Sequence, residues 1–189
     1  MISPEDSIII MENYSRDFFR NVFSKMEFIM AVDYLKNFVN KYDVPVLFTE
    51  RPFKYITGNE EINMFIKKMN ERKENSKMPE SPMDKKFLSD FERALIPENV
   101  VHVKKEDIFY NTNVEDLIRQ HKRNTVLLCG FFTETDIFLS SYESYIREFN
   151  TYVISDATST YSERLYFQSL EMISQMVNVI DTRDMEKMF

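Results

Sequence analysis

Six short runs rich in β-branched and apolar residues recur along the chain, separated by stretches whose apolar residues repeat every three to four positions. The runs are SIIIM (7–11), VPVLFT (44–49), VVHVKK (100–105), TVLLCG (125–130), TYVISDA (151–157) and VNVIDT (177–182). Short, near-continuous apolar runs of this kind read as strands buried on both faces. Between the first two, Phe28, Val32, Tyr34, Leu35, Phe38 and Val39 fall at helical spacings, as a crossover helix packed on a sheet requires. The alternation predicts a three-layer αβα sandwich around a Rossmann-like, mostly parallel six-stranded sheet. At 189 residues, 43% of them hydrophobic, the chain has the size of one well-buried domain, and we read residues 1–189 as a single unit. One interval breaks the rhythm. Between the second and third runs lies KKMNERKENSKMPESPMDKK (67–86), dense in charge and holding two prolines. It reads as a helix, an exposed loop and a second helix, with the charges on a solvated face.

Composition removes several function classes. Gly58 and Gly130 are the only glycines, so the GxGxxG, GxxxxGK[ST] and GxSxG loops are all missing. A lone cysteine, Cys129, permits no internal disulfide and no cysteine cluster, and the spacing of His102 and His121 fits no zinc motif. No metal and no cofactor is therefore expected. A net charge of -7 opposes binding to nucleic acid or to an anionic membrane. The opening MISPEDSIII carries acids where a signal peptide needs positive charge, and no apolar run approaches the ~18 residues of a membrane span. A cytoplasmic protein with small molecules or proteins as partners is the expectation.

In open α/β sheets, ligands bind beyond the carboxyl ends of the strands. Those ends are Glu12 to Ser15, Glu50 to Phe53, Lys104 to Tyr110, Gly130 to Asp136, and Asp156 to Thr160. The fourth is distinctive: LLCGFFTETDIF (127–138) stops a strand at a glycine, passes two phenylalanines and enters a helix carrying Asp136. Thr133-x-x-Asp136 has the form of a capping box, in which each side chain satisfies a backbone donor of the first turn.

Taken in order, Lys104 followed by DIFYNTNVEDLI, then TVLLCGFFTETDI, then YVISDATST resemble the isochorismatase-like cysteine hydrolase superfamily, which includes nicotinamidases, N-carbamoylsarcosine amidases and isochorismatases. The resemblance runs from the first strand to the sixth and is weakest over residues 52–96. It implies a catalytic aspartate after the first strand, a lysine after the third, and a nucleophilic cysteine in the turn after the fourth, in a pattern like G-x-x-T-x-x-C. The lysine falls on Lys104, with Phe109 and Thr112 matching the F-x-x-T that follows. The lysine-to-phenylalanine spacing is one residue short, which leaves Lys105 as the alternative. The aspartate falls on Glu12. At the nucleophile, Gly130-Phe131-Phe132-Thr133-Glu134-Thr135-Asp136 puts an aspartate where the family has its cysteine. Cys129 precedes the glycine, inside the strand, and reads as a small buried hydrophobe.

The same resemblance implies a non-proline cis peptide between Phe131 and Phe132, and a structural Asp156 that bonds loop backbone. Metal-binding members present an aspartate and two histidines after the second strand, where this chain has Thr49-Glu50-Arg51-Pro52-Phe53. A helix N-terminus and a nearby lysine both stabilise the Asp136 anion and oppose its use as a nucleophile. The expectation is a cluster of Glu12, Lys104 and Asp136, ion-paired through Lys104, beside a substrate pocket of Tyr14, Phe109, Phe131, Phe132 and Thr133. The function this implies is non-catalytic binding of a small molecule or a protein partner, in a homo-oligomer or with an active relative. The alternative is an active hydrolase of a C–N amide or vinyl-ether bond using Glu12, Lys104 and Asp136, because vinyl-ether hydrolysis turns more on acid–base groups than on a nucleophile.

Overall fold

A computed structural model describes residues 2–52, 54–93 and 97–188. Its strands are β1 (Ser7–Glu12), β2 (Val46–Glu50), β3 (Val100–His102), β4 (Thr125–Phe131), β5 (Asn150–Ser159) and β6 (Asn178–Ile180). They form one parallel sheet in the order β3-β2-β1-β4-β5-β6, as the alternating pattern predicts. Strand order reverses between β1 and β4, the switch point at which open α/β sheets leave a crevice for ligands.

Side chains of a strand alternate between faces, so each strand feeds two cores. Ile9 and Met11 of β1 join Leu127 and Cys129 of β4 in one core, while Ile8 and Ile10 join Val126 and Leu128 in the other. The first face is covered by α1 (Arg16–Phe19), α2 (Lys25–Tyr42), α4 (Pro82–Glu92) and α8 (Thr182–Met188), which contribute Phe18, Phe28, Phe91 and Met185 among others. The second is covered by α5 (Val114–Gln120), α6 (Phe138–Ile146) and α7 (Glu163–Ile173), through Ile118, Phe138 and Ile173. The remaining helix, α3 (Glu60–Asn75), contributes to neither core cluster.

Residues 67–86 do form a helix, a connection and a second helix, and Ser81 and Asp84 close a capping box at the start of α4. One member of that run is not solvated: Lys73 is 4% exposed. The third strand stops at His102, three residues sooner than the run VVHVKK suggests, so Lys104 and Lys105 lie beyond it. Phe53, at the end of the second strand's run, lies outside the described residues. Among those described, no helix is long and apolar enough to cross a membrane.

Candidate functional site

Glu12 of β1 stands level with Gly130 of β4. Gly130 has φ +123°, and a Cβ built on it would lie 2.1 Å from the carbonyl oxygen of Glu12, so only glycine lets the two strand ends approach this closely. The next peptide bond, Phe131–Phe132, is cis, as the resemblance implies. A five-residue π-helical turn, Thr133–Ile137, then leads into α6 and carries Asp136 to a position only 1% exposed.

Three strand ends meet on the Asp136 carboxylate. Asn13, immediately after β1, sits at φ +60°, a left-handed conformation that asparagine tolerates. Its backbone N–H donates to the Thr49 carbonyl of β2 at 2.7 Å. Its side-chain amide donates to the Phe131 carbonyl at 2.5 Å and to Asp136 Oδ1 at 2.8 Å, and its Oδ1 accepts from the Arg51 backbone N–H at 3.2 Å. Arg51, just past β2 and 4% exposed, grips both oxygens: Nε donates to Oδ1 and Nη2 to Oδ2 at 3.1 Å. Thr135 Oγ1 donates to Oδ2 at 2.8 Å, and the Phe132 N–H reaches the same oxygen at 3.5 Å. Burial by itself pushes the Asp136 pKa up, but the Arg51 charge and hydrogen bonds, helped by Lys73 and Thr135, reverse this and hold it below the ordinary carboxylate range. The carboxylate is a fully engaged anion.

Glu12 has the opposite fate. It too is 1% exposed, but Oε2 accepts only from Ser140 Oγ of α6, at 3.1 Å, and Oε1 is buried without a partner. Burial first, then the neighbouring Asp136 charge, push its pKa well above the ordinary carboxylate range, and Ser140 opposes them too weakly to prevail. A carboxyl group with a raised pKa and an uncommitted oxygen is the result.

The isochorismatase domain matches this sequence over residues 7–184. The chain belongs to the isochorismatase family. It is 20% identical over 188 residues to a probable isochorismatase of Pseudomonas chlororaphis, covering 97% of this chain and 86% of that relative. Among solved structures it resembles a cysteine hydrolase from Pseudomonas syringae pv. phaseolicola, with TM-score 0.72 and 15% identity, over 97% of this chain and 92% of that one. It also resembles the YcaC gene product of Escherichia coli, an octameric hydrolase of unknown specificity, with TM-score 0.68 and 14% identity, over 95% of this chain and 77% of that one. At these identities the structural likenesses establish the fold.

Within this isochorismatase fold, Glu12 and Asp136 converge and Lys104 does not join them. Lys104 and Lys105 are exposed in the turn after β3, and Lys105 Nζ lies 4.9 Å from the centre of the Tyr110 ring. The expected Lys104–Asp136 ion pair is corrected to Arg51–Asp136, because the parallel order β2-β1-β4 delivers Arg51 to the buried crevice while β3, the edge strand, ends early. The capping box is corrected as well. The turn begins at Phe132 and winds as a π-helix, so the Thr133 hydroxyl meets Thr158 Oγ1 at 3.4 Å and makes no cap, while Asp136 is drawn to Arg51.

Tyr14, Phe131, Phe132 and Thr133 gather near the site, all buried, with the Tyr14 ring 4.5 Å from that of Phe91. Phe109 lies in the core on the opposite face, stacked on Phe149 at 6.3 Å, because its turn leads into α5. Cys129 faces the core inside β4 with its thiol pushed up to about 12, chiefly by burial. Asp156 accepts from the Thr182 N–H at 3.0 Å and from its hydroxyl at 2.6 Å, holding β5 to the start of α8. His102 is exposed on edge strand β3. Among the described residues no group of three or more His, Cys, Asp or Glu side chains is placed to hold a metal ion.

Sequence reasoning missed Asn13, Arg51, Lys73 and Ser140. Arg51 and Asn13 do have a signal, since each directly follows a strand end at the crevice. Lys73 has none, because it stands in a run whose composition reads as solvent-facing.

Proposed function

We infer that this member of the family has left nucleophilic hydrolysis and serves as a binding protein for a small molecule or a protein partner. The carrying observation is the state of Asp136. It occupies the turn position where the resemblance puts the catalytic cysteine, and every lone-pair direction is claimed by Arg51, Asn13, Thr135 or the Phe132 amide. A nucleophile needs a raised-energy lone pair and a clear approach, and an anion held by a bidentate arginine at 1% exposure has neither. Cys129 offers no substitute, with its thiol protonated and buried against the Ile10 carbonyl at 3.7 Å. Self-association fits this role, since the structurally similar YcaC product is octameric. Light scattering on the purified chain measures it.

The test is a screen of purified protein against nicotinamide, pyrazinamide, N-carbamoyl amines and isochorismate, alongside Asp136→Ala. No turnover above a denatured control is expected. Amide hydrolysis that disappears in Asp136→Ala would overturn the reading.

One observation favours a second reading. Glu12 has Oε1 uncommitted and a pKa raised well above the ordinary carboxylate range, the direction that suits a general acid protonating an enol or vinyl ether without any nucleophile. Turnover of isochorismate that survives Asp136→Ala at reduced rate and vanishes in Glu12→Gln would select it.

A further inference from the structure

The groups of this site are sealed: Glu12, Asn13, Arg51, Thr133 and Asp136 are each 4% exposed or less. A ligand can touch them only if some element moves, and elements that move are those with little buried apolar surface. Of the 16 residues of α3, only Ile66 and Lys73 are buried, while Ile62, Met64 and Phe65 face out. The helix is tied at its last turn, where Asn21 Nδ2 donates to the Lys73 carbonyl at 2.5 Å and to Ser76 Oγ at 2.8 Å, and where the Met78 N–H reaches the Arg20 carbonyl at 2.9 Å.

Lys73 is what α3 inserts into the body. Its Nζ lies 3.7 Å from the centre of the Phe132 ring, beside the turn that carries Asp136. Glu134 interacts with Lys73 more strongly than with any other charge and borders Thr160. Glu134 Oε2 and Thr160 Oγ1 are both buried, and Thr160 is near enough to oppose the upward push of burial on the Glu134 pKa. The charge of Asp136 favours the Lys73 ammonium, against the burial that disfavours it. An aromatic face, a nearby anion and a second acidic side chain make a seat for an ammonium. In this structure the occupant belongs to the chain itself.

We propose that α3 is a lid over the Arg51–Asp136 cluster, latched by the Lys73 ammonium on Phe132, and that a small organic primary ammonium competes for that seat and frees the lid. The proposal rests on the small-molecule-binding reading above, and gives that reading a ligand class and a way in.

Amide hydrogen exchange on the full chain tests it, read over residues 60–75 with β1 and β4 as internal references. Lys73→Met and Phe132→Leu are each expected to lower protection of α3 roughly tenfold, the size of a desolvated cation–π contact, with β1 and β4 unchanged. Propylammonium chloride added to the wild type is expected to lower α3 protection with saturation. Propanol with sodium chloride at matched ionic strength should do nothing. Unchanged α3 protection in Lys73→Met overturns the latch, and equal effects of propylammonium and its control overturn the ammonium seat. Should β1 and β4 lose protection in the variants, the wild-type titration decides alone. Exchange is independent of turnover, so hydrolysis lost in Asp136→Ala would sink the non-catalytic reading while leaving the lid standing.

Discussion

Glu12 and Asp136 sit at neighbouring strand ends, each 1% exposed, and their pKa values are pushed in opposite directions. Desolvation leads the causes for both and pushes both pKa values up. Asp136 escapes because the Arg51 guanidinium, the Lys73 charge and the Thr135 hydroxyl all favour its anion, whereas Glu12 has one serine hydroxyl and a like charge nearby. Burial sets the cost of a charge, and partners decide whether that cost is met. The pair separates into an arginine-bound carboxylate with a lowered pKa and a sparsely bonded carboxyl with a raised one.

The comparison breaks most sharply at the ion pair. Arg51→Met alone, or Asp136→Asn alone, is expected to cost about 3–5 kcal/mol by urea denaturation, because each leaves a buried group without its partner. The double variant Arg51→Met/Asp136→Leu should recover most of that loss. A single-variant cost below about 0.5 kcal/mol, the range of an ordinary surface substitution, would show that the pair is not the anchor.

The two carboxyls should also give pH dependence of opposite sign. Asp136 has a lowered folded pKa, so its stabilisation is complete above the ordinary carboxylate range and drains away as pH falls through the lowered value. Acid unfolding of Asp136→Asn should lack that component. Glu12 has a raised folded pKa, so its contribution is complete below the ordinary carboxylate range and is lost as pH climbs through the raised value. Glu12→Gln retains an amide near Ser140 and is expected within about 1 kcal/mol of wild type at pH 4. As pH climbs through the raised Glu12 value it should become the more stable of the two, and identical stability profiles for both proteins would contradict a raised Glu12 pKa.

Smallest is the effect of Lys104. Because Lys104 is exposed in the turn after β3, Lys104→Ala should change stability by less than about 0.5 kcal/mol. A larger loss would mean that the turn after β3 couples to the crevice after all.

Much of this was legible without coordinates. Short apolar runs alternating with helical patterning placed six parallel strands, and the order of three segments pointed to the family, the cis Phe131–Phe132 bond and the convergence of Glu12 with the Asp136 turn. Local spacing failed where it was asked to choose partners. Thr133-x-x-Asp136 has the right spacing for a cap, yet the turn's π-helical winding and the pull of Arg51 sent the two side chains elsewhere. Lys104 was the nearest lysine by family pattern, while the amine that reaches the site comes from a helix whose composition reads as solvent-facing.

The sequence by itself determined the layers, the strand ends and the residue types available there, because apolar periodicity acts over a few residues. Only the tertiary structure decided which charges meet. Asp136 takes Arg51 from 85 residues away and Asn13 from 123, partners brought together by the order β2-β1-β4. Coulomb attraction depends on distance and on exclusion of water, and neither is written in sequence spacing.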